Sequence, residues 1–275
     1  MKRFPFISCS LLFFSFFQLA SAQDYAYTRT DVYLLKNDLT HARNIGAATY
    51  LLQIVKHSDT EYVCRYYNKF GPMLRQETYF DSGLTIPNGS FLWYDEKGTL
   101  DSEAVVYRGR KTLFTIFDDN LKTMVKVKFV NGSIYEKRDY TNNTYTYSTG
   151  KIVDLAEKEK AESDSLLQFK KAQADTSQIE AKFPGNWNKY MNKNLLFPDR
   201  FQNNMPVGKY IATVSFRVDK EGKVDQVRLL RSVEWSADLE IFRIVENSPP
   251  WTPAVQFGRN VMYRQKQNMV FQISH

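Results

Sequence analysis

Between Tyr66 and Gly132 the chain meets a turn signal again and again. Runs rich in aromatic and β-branched residues are interrupted by Phe70-Gly71, Asn88-Gly89, Lys97-Gly98, Arg108-Gly109 and Asn131-Gly132. Glycine and asparagine supply the left-handed backbone that tight turns require, so the pattern reads as short strands alternating with turns. The spacing is quasi-periodic: Tyr94 to Phe117 and Gly109 to Gly132 are each separated by 23 positions, and Tyr67 to Tyr94 by 27. One hairpin per recurring unit predicts a stacked array of β-hairpins, with the aromatics as core between neighbours.

The units "YYNKFG", "WYDEKGTL" and "VVYRGRK" resemble divergent MORN-like repeats over roughly residues 60–150. That resemblance implies a structural or interaction surface and not a catalytic one. Upstream, Asp24 to Tyr62 is mixed, and "ATYLLQIVKHS" reads as a strand or a short helix. Carboxylates such as Asp81, Asp95 and Asp101 fall in expected turns, where aspartate is favoured by turn chemistry alone.

The chain opens with Lys2 and Arg3, an apolar stretch from Phe4 to Leu19, and "ASA" at Ala20–Ala22. This is a secretory pattern, and its apolar run is shorter than the roughly 20 residues that span a bilayer. Residues 1–22 are expected to be a cleaved signal peptide, leaving Gln23 first; the rival reading is an uncleaved anchor. Cys64 is then the one remaining cysteine, so no disulfide framework is expected. It reads as a buried strand residue, since His41, His57 and His275 sit in no recognisable arrangement with it.

Residues 183–275 carry 13 basic against 8 acidic side chains, whereas 23–182 carry 22 of each. The basic excess of a chain with formal charge +7 therefore belongs to its C-terminal part. Such an excess can steer an acidic partner or an anionic lipid, but nothing has the basic-aromatic density of a nucleic-acid binder. Three regions follow: a β-hairpin repeat region over 23–150, a charged helical linker over 151–182, and a C-terminal domain over 183–275. The linker loses glycine, proline and tryptophan and is dominated by strong helix formers.

In the C-terminal domain, "FPGNWNKYMNKNLLFPDRF" spaces Trp187, Tyr190, Met191 and Leu195 as on a helix, which Pro198 stops. "GKYIATVSFRVDKEGKVDQVRLLRS" alternates as a half-buried strand, a turn at Gly222 and a returning strand. "SADLEIFRIVENSPP" reads as a helix capped by Ser236, with Asp238 and Glu240 in its first turn. It ends at Pro249 and Pro250. A rigid elbow through Trp251 and Pro253 then leads to a final strand from about Val261 to Ile273.

Taken with "FGRNV" and "MVFQI", these elements resemble the TonB C-terminal domain. The expected fold is α+β, with a two-helix, three-stranded antiparallel C-terminal domain after the all-β repeat region and the linker. The resemblance implies a periplasmic or envelope protein. Its final strand adds an extended peptide of a TonB-dependent outer-membrane receptor, or of another envelope protein, to the sheet edge. The residues offered for that contact are Val261, Tyr263, Arg264, Gln265, Lys266, Gln267 and Asn268; Pro249, Pro250, Trp251 and Pro253 are the structural elbow. A homodimer is a further expectation.

Energy transducers of that family also have an inner-membrane helix and a long Pro-rich spacer. An anchored transducer is therefore the alternative, with residues 4–19 as anchor. No metal-ligand cluster, G-x-S-x-G, Cys/His arrangement or phosphate loop is recognisable, so neither catalytic residues, metal nor cofactor is expected.

Overall fold

The structure, a computed structural model, describes residues 30–171 and 178–274. The expected signal peptide lies outside them, as does His275. Eleven strands follow one another: β1 (Thr30–Leu35), β2 (Tyr50–Ser58), β3 (Glu61–Asn68), β4 (Met73–Tyr79), β5 (Gly89–Tyr94), β6 (Leu100–Tyr107), β7 (Arg110–Phe117), β8 (Thr123–Val130), β9 (Ser133–Asp139), β10 (Thr144–Tyr147) and β11 (Ile152–Asp154). Each pairs antiparallel with the next, so spatial order is chain order.

The turns explain that simplicity. Arg108-Gly109 and Asn131-Gly132 both have positive φ at the two central positions, the geometry whose twist matches flanking strands. Between β5 and β6, Asp95 Oδ1 accepts from Lys97 N and Thr99 N at 2.9 and 2.8 Å. Asp118 repeats the device between β7 and β8. Asp101, by contrast, lies on β6 and not in a turn.

The hairpins join edge to edge instead of stacking, which alters the fate of the aromatics. A single-layer sheet buries a side chain only where another unit covers its face. Tyr67 and Tyr94 are buried under the C-terminal part of the chain, while Tyr107 and Tyr135 are exposed. After β11 comes α1 (Leu155–Lys171), whose first half packs on the far end of the sheet. Arg138 Nη2 on β9 donates to Glu162, and Lys158 lies over the rings of Tyr145 and Tyr147. The expected solvated linker is thus docked along that stretch.

The remaining elements are β12 (Gln178–Ile179), α2 (Trp187–Asn194), α3 (Asp199–Asn204), β13 (Gly208–Val218), β14 (Val224–Arg231), α4 (Trp235–Glu246), β15 (Ala254–Gln256), β16 (Arg259–Val261) and β17 (Tyr263–Ile273). They build two small antiparallel sheets, ordered β14-β13-β17 and β12-β15-β16. The expected fold class is corrected here. The chain is predominantly β around its eleven-stranded sheet, and its C-terminal region is not a small two-helix, three-stranded domain.

Each departure has a local cause. α2 already ends at Asn194, with Leu195 an extended cap and not part of the helix, and Pro198, expected to stop it, instead precedes a second helix that Asp199 opens. The "QFGRN" turn is itself a hairpin, with Phe257 and Gly258 at positive φ between β15 and β16. The cap of α4 is Glu234, whose carboxylate accepts from Ser236 N, and not Ser236.

One hydrophobic core runs through both parts of the molecule. Tyr67, Met73, Leu92 and Leu100 of the large sheet share it with Phe216, Leu229, Ile241 and Phe242. Polar contacts fix the register of this docking. Ser232 N donates to Gly98 O at 2.8 Å, Met73 N to Ser232 Oγ at 2.7 Å, and Tyr94 Oη to Leu229 O at 2.9 Å. Buried Arg65 lies 3.7 Å from the centre of the Phe242 ring and donates to Gln53 and Gln76. Asp238 is not a helix-dipole carboxylate at the surface. It is buried, accepts from Ser232 Oγ at 2.5 Å and from Val233 N at 3.2 Å, and burial raises its pKa to about 7.

Two glycines hold the closest approaches. Gly98 and Gly222 both have positive φ, and a Cβ would overlap the backbone oxygen of Ser232 at the first and of Trp251 at the second. Alanine at either is expected to cost about 3 kcal/mol or more in urea denaturation, since strain and overlap add. Gly109→Ala, with positive φ but open space, should cost only about 1–2 kcal/mol.

A second expectation concerns pH. Because the folded-state pKa of Asp238 is raised, the folded chain keeps a proton that the unfolded chain has lost. The contribution of Asp238 to stability should therefore fall as pH rises from about 4 to about 7, then stay flat. Asp238→Asn should remove that part of the slope, read as the difference between wild-type and variant denaturation midpoints across this range.

Candidate functional site

The two edges of the β14-β13-β17 sheet have different fates. The β14 edge meets the large sheet, where Thr99 bridges to Arg231 and β14 touches β6. β17 pairs with β13 over its whole length, from Tyr263↔Val218 to Ile273↔Gly208, and no strand among the described residues pairs with its other side. The outward backbone groups of β17 thus have no strand partner among the described residues, although Glu180 and Ala181 meet the side chains of Tyr263 and Gln265 at its start.

Alternation gives β17 two distinct faces. Met269, Phe271 and Ile273 are buried against the helices, and Gln265 and Gln267 are half-buried in the same row. Gln265 Nε2 donates to Ala181 O at 2.7 Å. Arg264, Lys266, Asn268, Val270 and Gln272 form the exposed row. Tyr263 to Asn268 are thus brought together on the edge strand. Val261 is not among them: it ends β16, paired with Ala254, and the chain breaks register at Met262 before β17 begins.

The elbow lies on the other side of the sheet. Trp251 is buried, its ring 5.2 to 5.5 Å from those of Phe216, Trp187 and Phe183. Its backbone N donates to Gly222 O at 2.8 Å, tying the elbow to the β13–β14 turn. Pro249 and Pro250 are exposed and Pro253 is half-buried, so the prolines shape the path without filling the core.

Beside β17, a cavity of about 380 Å³ opens between the exposed row and the large sheet. Leu100, Phe117, Leu121 and Leu230 give it apolar walls; Arg228, Arg264 and Lys266 give it charge. Arg217 stands directly opposite Arg264 in the β13–β17 register and is held by Asp225, with Nε 2.7 Å from Oδ1. Arg228 forms an ion pair with Glu103 of β6. Arg264 Nη2 donates to Gln226 at 2.9 Å. Lys266 has no carboxylate partner among the described residues.

Crowding leaves a mark on these groups. Burial, then the Arg264 charge, pushes Arg228 down to about 10; burial, then Arg217, lowers Arg264. Arg217 and Arg228 were not anticipated as site residues. The alternation of Thr213, Ser215 and Arg217 reads as a solvent face, but β13 is central, and Thr213 and Ser215 are buried as well. The signal lay in the row of cations recurring across three strands, visible only once the register is known.

Elsewhere the chemistry is quiet. Cys64 is buried on β3, and burial pushes its thiol up to about 12, away from nucleophilic character. Among the described residues no group of three or more His, Cys, Asp and Glu could hold a metal ion. Nor is any described helix long and apolar enough to cross a membrane.

No known protein family matches the chain, and no curated protein matches it. Among solved structures, the chain is similar to the crystal structure of S. aureus TarM in complex with Fondaparinux, alpha-GlcNAc-glycerol and UDP. That match has 11% identity and a TM-score of 0.27, and covers 38% of this chain and 21% of that chain. So slight a likeness carries no argument about fold or activity.

An edge of this kind has a direct signature in amide exchange. Residues Thr213–Val218 of β13, flanked by strands on both sides, should exchange slowly throughout. In β17, the amides directed away from β13 should exchange much faster than their neighbours, giving an alternating pattern. Uniform protection along β17 would show that its edge is covered.

Proposed function

We propose that this is a non-catalytic, secreted protein of the cell envelope that holds an extended segment of a partner protein by adding it as a strand to β17. The observation that carries this reading is the edge of β17, eleven residues long and without a strand partner among the described residues, on a sheet whose other edge is already engaged. Strand addition takes its affinity from main-chain pairing and its selectivity from alternate side chains. β17 offers both, because its backbone is extended and its two rows differ in character.

The envelope location is supported by the Lys2–Ala22 pattern, and an outer-membrane receptor or another envelope protein is the class of partner that pattern suits. The large sheet serves as the platform, since the β14 edge and α4 rest on it and hold β17 outward.

Photo-crosslinking tests the reading. A benzophenone amino acid placed at Asn268 or Val270, both exposed, should trap a defined segment of an envelope protein in cells of the native host. The same group at exposed Tyr107, on the large sheet, should not. Crosslinks from Tyr107 alone would move the binding surface to the large sheet and overturn the assignment to β17.

A further inference from the structure

Two residues along a strand advance it by about 6.6–6.8 Å and return the side chain to the same face. Arg264 and Lys266 are so related, and both lie on the exposed row that lines the cleft toward the large sheet. A strand added to β17 would set its own side chains about 4.5–5.5 Å from theirs, Cβ to Cβ. Arg228 stands behind them in the cleft, and Arg217 is the strand partner of Arg264 on β13. These four cations face Asp225 and Glu103, each ion-paired with one arginine, with Asp225 also acting on Arg264 and Asp219 on Arg217, while Lys266 has no carboxylate partner among the described residues.

The other row of β17 is neutral. Gln265, Gln267, Met269, Phe271 and Ile273 carry no charge, and Phe197 packs its ring 5.9 Å from that of Phe271 while remaining 40% exposed. Leu196 beside it is 65% exposed. One face of an added strand thus meets unbalanced positive charge, and its opposite face meets glutamines and an apolar shelf.

We infer that the segment accepted by β17 is acidic, an extended peptide with Asp or Glu at two alternate positions facing Arg264 and Lys266, and neutral or apolar residues between. This rests on the strand-addition reading and deepens it. A second copy of the chain is the weaker occupant, because antiparallel pairing of two β17 strands adds further cations beside a cleft that already holds an excess. An acidic segment supplies the missing countercharge and replaces like-charge repulsion across the β13–β17 pair with attraction on its open side.

The test uses the purified full chain and three dye-labelled nine-residue synthetic peptides followed by fluorescence polarisation. One alternates Glu with Val, one alternates Lys with Val, and the third is the first with its backbone nitrogens N-methylated at alternate residues. The Glu peptide is expected to bind about three- to tenfold more tightly than the Lys peptide at low salt, as two exposed charge pairs allow. The difference should shrink as salt is raised. Arg264→Glu with Lys266→Glu should reverse the preference, and N-methylation should abolish binding. Lys266→Glu alone breaks no hydrogen bond or ion pair among the described residues and keeps the charge test available should the double variant fail to fold.

Equal binding of the Glu and Lys peptides, both sensitive to N-methylation, would overturn the acidic selectivity and leave strand addition standing. Binding that survives N-methylation, or no binding by any peptide, would overturn strand addition and the inference with it. A concentration-dependent dimer in sedimentation that the Glu peptide cannot dissociate would assign the edge to a second copy, and so overturn the acidic partner.

Discussion

The structure depends on the seating of Ser232 against Gly98. The tip of the β5–β6 hairpin and the end of β14 approach so closely there that neither backbone leaves room for a Cβ at Gly98. Ser232 N reaches Gly98 O, Ser232 Oγ accepts from Met73 N, and the same hydroxyl donates to buried Asp238 at the start of α4. One residue thereby joins the large sheet, the small sheet and the helix packed upon it. The common core closes around this point, with Tyr67, Met73 and Leu92 on one side and Leu229, Ile241 and Phe242 on the other. Without that contact the large sheet would be a single layer with an apolar face in water, which is costly for a structure of this size.

The same contact decides which edge is free. A three-stranded sheet has two edges, and each exposes backbone donors and acceptors that must find partners or water. Docking covers the β14 side through Thr99 and β6 and leaves β17 outermost. Placement of the open edge is thus a consequence of how the two parts of the chain meet. It is not a property of the C-terminal segment alone.

Local chemistry was legible in the sequence, and arrangement was not. Glycine and asparagine turns announced the hairpins, and their quasi-periodic spacing led to the expectation of a stacked repeat, where the strands instead form one continuous sheet. Yet nothing in the spacing separates hairpins that stack from hairpins that pair edge to edge, because both bury alternate residues. The distinction is set by long-range contacts such as Arg65 over Phe242. Arg264 to Asn268 were legible as part of an edge strand because polar residues ran unbroken through them, but the alternation that half-buries Gln265 and Gln267 was not. Arg217 and Arg228 were hidden, since their role depends on which strands are neighbours. Helix α3 was missed for a different reason, as proline before Asp199 carries two meanings and context chooses between them.

An open strand that persists in a folded protein must also be kept from pairing with copies of itself. Lysine and arginine along an edge are a common defence, since a second identical edge brings like charges near them. Arg264 and Lys266 meet that requirement, and Arg217 and Arg228 strengthen the field behind them. The defence is selective by nature. It opposes a basic strand, costs a neutral one little, and favours an acidic one. A sheet that needed only solubility could place either sign on its edge. Gathering Arg228, Arg264 and Lys266 around one apolar-walled cleft, with Arg217 beside Arg264, sets like charges close together, and the pKa values of Arg228 and Arg264 are lowered by burial first and by a neighbouring arginine second. Added countercharge would relieve the repulsion that Asp225 and Glu103 leave uncompensated, so the edge is guarded against itself and favours a strand of opposite sign.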